Sequence, residues 1–92
     1  MSHTIQGKAK LLARVRRIRG QVEAIERGLD AEKECADILH QVAAVQGATR
    51  GLMTELIESH IRGHVASAEI ASQADREQGA SELIDAIRTY LK

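Results

Sequence analysis

The chain has 92 residues, no proline, one cysteine, one aromatic residue and a formal net charge of zero. That length makes a single small domain, residues 1–92, near the size at which a core alone is marginal and association with further copies supplies buried surface. Without proline and with almost no aromatics, the chain favours helices throughout, built on a core of Leu, Ile, Val, Ala and Met. No apolar run approaches the roughly 20 residues of a membrane span and no signal peptide opens the chain, so a cytoplasmic protein with no membrane contact is expected. A single cysteine cannot form an internal disulfide; in a reducing compartment it is a free thiol, a metal ligand or a reactive group.

Residues 1–6 form a short polar lead with His3, and Thr4 has the chemistry of a helix N-cap. From about Gly7 to Leu29 the apolar residues Leu11, Val15, Ile18, Val22, Ile25 and Leu29 fall at spacings of 4, 3, 4, 3 and 4. That is a heptad seam, which packs lengthwise against another helix. Gly20 within it disfavours the helix by about 1 kcal/mol relative to alanine and is read as a point of close approach. Lys8, Lys10, Arg14, Arg16, Arg17 and Arg19 precede any acid, the first being Glu23, so a neutral average hides a basic arm. Gly28, Asp30 and the polar residues to Glu34 read as a connection short enough to return the next helix antiparallel.

The second helix is expected from about Glu32 to Val65, with Leu39, Val42, Ala43, Leu52, Met53, Leu56, Ile57 and Ile61 as its apolar face and Gly47, Ala48 and Gly51 as a waist of small residues. A helix about 50 Å long exceeds what so small a monomer needs and points to one shared across an oligomer interface. Residues 66–78 lack clear periodicity and read as a linker or frayed helix. Ala80, Leu83, Ile84, Ile87 and Leu91 mark a short third amphipathic helix. The expected fold is therefore all-α: a long antiparallel helix pair and a short C-terminal helix, assembled as a dimer or dimer of dimers.

The chemistry concentrates at the end of the second helix. His60 and His64 are four residues apart, which puts both imidazoles on one helical face where they can chelate one divalent ion. Cys35 and His3 are the further donors on offer. Cys35 lies 25 residues before His60, and at about 1.5 Å of rise per residue roughly 37 Å separates them along the helix. One chain cannot close such a site, but a second copy running antiparallel would bring its Cys35 level with the histidines. Two equivalent inter-subunit sites in a homodimer follow from the two-fold axis. The bland alternatives are exposed histidines at a helix end and a cysteine acting as a small hydrophobe. His40 is read as structural.

For the basic arm the bland alternative is a solvated helix face, but exposed helices usually intersperse acids at i,i+4 and this one does not before Glu23. Arg14 and Arg17 share one face with Lys10 a turn earlier, a stripe suited to phosphate contacts, in which Arg16 could take part. No helix-turn-helix or zinc-finger pattern accompanies it. Phosphate-loop, G-x-S-x-G and H-E-x-x-H motifs are absent, so an enzyme is not expected.

The opening MSHTI, the run RVRRIRGQVEAIERGL, the segment ECADIL, the stretch QVAAVQGATRGLMTELIESHI and the terminal YLK resemble the CsoR/RcnR family of bacterial metal-responsive and formaldehyde-responsive repressors. The likeness covers nearly the whole chain outside residues 66–78. It implies three-helix protomers assembled as dimers or homotetramers that hold operator DNA when ligand-free and release it on effector binding. The copper-sensing branch carries a second cysteine where this chain has His64. The formaldehyde-sensing branch usually opens Met-Pro, where this chain has Ser2, and lacks a histidine at the position of His64. The nickel/cobalt branch has a histidine at the third position with Cys, His and His, and His3, Cys35, His60 and His64 match that set. One thiolate among several nitrogens suits Ni(II) or Co(II) at five- or six-coordination, although Zn(II) or copper accepts the same donors. In the formaldehyde alternative the Cys35 thiolate adds to the aldehyde carbon and an amino-terminal nitrogen displaces water to close a methylene bridge. An alternative of another class is a purely structural helical oligomerisation module.

Overall fold

The computed structural model describes residues 7–70 and 72–91. They form three helices, α1 (Lys8–Asp30), α2 (Cys35–His64) and α3 (Gln73–Tyr90), and no strand is present among the described residues. Two compact units divide the chain, one holding α1 and α2 as far as Thr54, the other holding the rest of α2 and α3. Thr4, expected as the first N-cap, and His3 lie outside the described residues. Among the described residues no helix is long and apolar enough to cross a membrane.

In the first unit α1 and α2 form an antiparallel hairpin. Three contacts set its register: Gly28 against Ile38 and Gln41, Gln41 Nε2 donating to the Ala24 carbonyl at 3.3 Å, and Gly51 against Arg14. As the residue number falls along α1 it rises along α2. Gly28, expected in the connection, is buried inside α1, where a Cβ would stand 2.8 Å from Ile38 Cδ1; it lets α2 approach as the two helices meet. The connection is then only residues 31–34. Glu32 takes a left-handed φ of 55°, and the amides of Ala31, Glu32 and Lys33 close onto the carbonyls of Arg27, Leu29 and Gly28, which satisfies the last turn of α1.

The heptad seam of α1 divides in two. Leu11, Ile18 and Ile25 are half-buried against α2, whereas Val15, Val22 and Leu29, seven residues apart, stay 44%, 49% and 61% exposed. On α2 the inward residues are Ile38, Gln41, Val45, Ala48 and Leu52, again at 3 and 4 spacing. The expected apolar face is therefore corrected: Ile61 near its end is exposed, as are Leu39, Val42 and Ala43 in its first half. That stretch is apolar on several sides, so periodicity cannot choose the face that meets α1. No apolar side chain is buried among the described residues. A Cβ at Gly20 would meet nothing within 4 Å, so Gly20 is not a close-approach point within the protomer.

In the second unit α3 begins earlier than the apolar pattern indicates. Residues 73–78, expected as linker or frayed helix, form its first turns, because the Ser72 hydroxyl accepts the Asp75 amide at 3.1 Å with Asp75 in the first turn. Ser-x-x-Asp is a capping box with a shortened acid, and substitution of such a cap by alanine typically destabilises by about 1 kcal/mol. Ile84, Ile87, Tyr90 and Leu91 leave the far half of α3 with an uncovered apolar stripe.

Candidate metal centre and nucleic-acid interface

His60 and His64 occupy the last turns of α2, where the i,i+4 spacing stacks their rings with centroids 4.7 Å apart and planes inclined by 23°. Both side chains are half-buried. His60 Nε2 lies 2.7 Å from the carbonyl oxygen of Gly79 on α3. A carbonyl can only accept, so Nε2 carries the proton and the lone pair of the neutral ring sits on Nδ1. Two imidazoles side by side on one face fit a borderline divalent ion as half of its donor set.

The other half does not come from the same stretch. Cys35 is an exposed free thiol at the first residue of α2, and His64 is the last residue of that helix. Some 40 Å of helical rise lies between them. Among the described residues no three His, Cys, Asp or Glu side chains converge. His3 is outside the described residues, and His40 is exposed on α2. Two residues beside the histidines, Gly79 and Arg76, are not apparent from the apolar spacing of the sequence. Arg76 Nη1 donates to the Val65 carbonyl, next to His64. The Ser72-x-x-Asp75 cap was the available signal that helix, and hence a packing surface, begins before them.

The basic arm resolves into a groove. Lys10, Ala13, Arg14, Arg17 and Gln21 of α1 and Ala44, Gly47 and Ala48 of α2 line a cleft of about 570 Å³. Its floor is open because the α2 residues are small, the waist seen in the sequence. Gly51 gives room to Arg14: a Cβ there would lie 3.0 Å from Arg14 Nη1. Arg16 is exposed and is not among the lining residues. Arg19 makes an exposed i,i+4 ion pair with Glu23 at 3.8 Å, which offsets part of its charge. Three cations thus share one concave surface, which focuses positive potential more than the same charges spread around a helix.

Comparison with known proteins places the chain in a family. Residues 7–89 match the model of the metal-sensitive transcriptional repressor family. The chain is 50% identical over the full length of both chains to a Serratia marcescens protein described by its place in the bioA 5′ region. It is 41% identical, again over both full lengths, to the transcriptional repressor RcnR of Salmonella paratyphi B. Among solved structures it is similar to a glutamate-to-histidine variant of the formaldehyde-responsive regulator FrmR of Salmonella enterica serovar Typhimurium, with TM-score 0.84 and 45% identity over 92% of this chain and 94% of that one. It is also similar to the copper-sensing repressor CsoR with Cu(I) from Geobacillus thermodenitrificans, with TM-score 0.83 and 32% identity over 95% of this chain and 88% of that one. A family model spanning nearly the whole chain, relatives aligned end to end and the same three-helix fold lead to one conclusion: the chain belongs to the CsoR/RcnR family of metal-sensitive transcriptional repressors.

Proposed function

We propose that this chain is a cytoplasmic nickel/cobalt-responsive repressor, acting as one domain over its full length, that binds operator DNA when metal-free and releases it when Ni(II) or Co(II) is bound, controlling a metal efflux gene. Its relatives include a formaldehyde-responsive regulator and a copper-sensing repressor, so the assignment rests on this chain's own donors. The observation that carries it is the stacked pair His60 and His64 on one turn of α2. A histidine at position 64 replaces the thiolate that a Cu(I) site favours and supplies a nitrogen that Ni(II) and Co(II) prefer.

The remaining ligands follow from the length of α2. Cys35 is contributed by a second copy, and His3 joins from the lead before α1. A second copy is supported by the exposed row Val15, Val22 and Leu29 with Leu39 and Val42, a large apolar surface for so small a chain. When bound, the ion supplies a charge and a fixed set of bond directions. Ligation by His3 would tether the lead of the DNA-binding helix in only one of two conformations, and a coupling of about 1–3 kcal/mol weakens DNA binding roughly 5- to 150-fold. Lys10, Arg14 and Arg17 in the groove contact operator phosphates, and Arg16, which does not line the groove, takes a lesser part.

A formaldehyde-responsive repressor is the second reading, favoured by one feature: the Cys35 thiol is exposed, as a nucleophile must be. The test is to titrate the protein–operator complex with Ni(II), Co(II) and, separately, formaldehyde, following DNA anisotropy. Release by metal alone supports the proposal, and release by formaldehyde alone replaces it with the second reading. No DNA binding at all would leave only a helical oligomerisation module.

A further inference from the structure

We infer that the first turns of α3 are the positioning element of the two-histidine site, with Gly79 and Arg76 holding the end of α2 in the shape that presents both rings. The consequence for metal rests on the function proposed above; the structural claim does not. Gly79 touches both histidines in different ways. Its carbonyl accepts the His60 Nε2 proton at 2.7 Å. Its missing side chain makes room for His64: a Cβ at Gly79 would stand 2.8 Å from His64 Cβ and 2.9 Å from the His64 carbonyl carbon, and would press on the His64 carbonyl oxygen. Two of those three atoms are backbone, which cannot swing aside as the end of a long side chain can.

Gly79 is buried in mid-helix, where glycine is disfavoured, so the position exchanges local helix stability for contact. Arg76 lies one turn earlier on the same face of α3 and is half-buried. Its guanidinium donates to the Val65 carbonyl just past His64 and places a cation at the negative end of α2. The Ser72 cap fixes where this helix starts, so Arg76 and Gly79 arrive in register. A histidine that donates its second ring nitrogen to a fixed carbonyl is held in one tautomer and one orientation, and loss of such a partner typically lowers metal affinity about 10- to 100-fold.

The test begins with the metal-free protein. Long-range ¹H–¹⁵N correlation of the imidazoles should show His60 as the Nε2–H tautomer with a slowly exchanging ring proton. An Nδ1–H tautomer, or a ring proton exchanging as fast as that of an exposed histidine, would overturn the inference whatever the effector is. Gly79→Ala should remove that protection and weaken Ni(II) or Co(II) binding, measured by chelator competition, about 10- to 100-fold. Should that variant not fold, Arg76→Met and Arg76→Lys serve: the first should weaken metal binding and the second restore most of it. Equal affinity in Arg76→Met and the parent would refute the role of Arg76. If the parent binds neither metal, the function proposed above fails while the ring-proton measurement still decides this one.

Discussion

Replacing Val22 and Leu29 together by serine removes two of the three exposed rungs on α1 while leaving the hairpin register untouched, since neither packs inward. Full burial of a Val or Leu is worth about 1.5–3 kcal/mol. With 49% of Val22 and 61% of Leu29 uncovered in the single chain, a partner that covers them gains on the order of 1 and 1.5 kcal/mol respectively. A two-fold interface counts each rung twice, so the double variant loses about 5 kcal/mol per dimer. At 1.4 kcal/mol per tenfold, the dissociation constant should rise by between three and four orders of magnitude, roughly. Serine and valine have similar intrinsic helix propensities, and the lower propensity of serine than of leucine at position 29 amounts to only about a few tenths of a kcal/mol, so the change reports mainly on covered surface. Sedimentation equilibrium on a concentration series gives the constant, and far-UV circular dichroism on the same samples should show helicity falling on dilution, because association and folding are linked when a lone chain lacks a buried core. An unchanged dissociation constant would show that nothing covers this row in solution.

Glu32→Gly should raise the melting temperature by a few degrees at fixed protein concentration, since a left-handed residue other than glycine costs about 1–2 kcal/mol and the gain is only partly offset in the unfolded chain; a lower melting temperature would mean the Glu32 side chain contributes more than its strained backbone removes. Arg14→Ala and Arg17→Ala should each lower the salt slope of DNA binding by about one unit and weaken all sequences alike, with Arg16→Ala and Arg19→Ala smaller in effect. Salt slopes equal to the parent's for Arg14→Ala and Arg17→Ala would remove the groove from the interface. Cys35→Ala chains mixed with His60→Ala chains should form some dimers with one intact metal site, whereas either variant alone should form none; absence of tight binding in the mixture would rule out ligands shared between copies.

The fold was legible where one pattern dominates. The spacing from Leu11 to Leu29 specified α1, and the short polar segment after it required an antiparallel return. What the spacing could not show is that the same seam serves two surfaces, with Leu11, Ile18 and Ile25 turned inward and Val15, Val22 and Leu29 outward. A heptad states that helices will pack along it and is silent about how many. On α2 the choice between Leu39 and Ile38 as inward residues was set by where Gly28 lets the helices meet, a tertiary fact. The paired histidines were read from spacing alone. Their neighbours Arg76 and Gly79 were not, because a glycine and an arginine among polar residues carry no apolar period, and the only local sign of their helix is the cap at Ser72.

The stripe on α3 has an experimental use that follows from composition. Tyr90 is the only aromatic side chain in the protein, and it stands 72% exposed beside Ile87 and Leu91. Every ultraviolet photon the unlabelled protein emits near 300 nm therefore originates at one site on one helix, with no tryptophan to obscure it. Any surface that comes to rest on the end of α3, or any loosening of that helix, would change the lifetime and anisotropy of a single chromophore. The wild-type chain carries its own local optical gauge, and no label need be introduced near the histidines to read it.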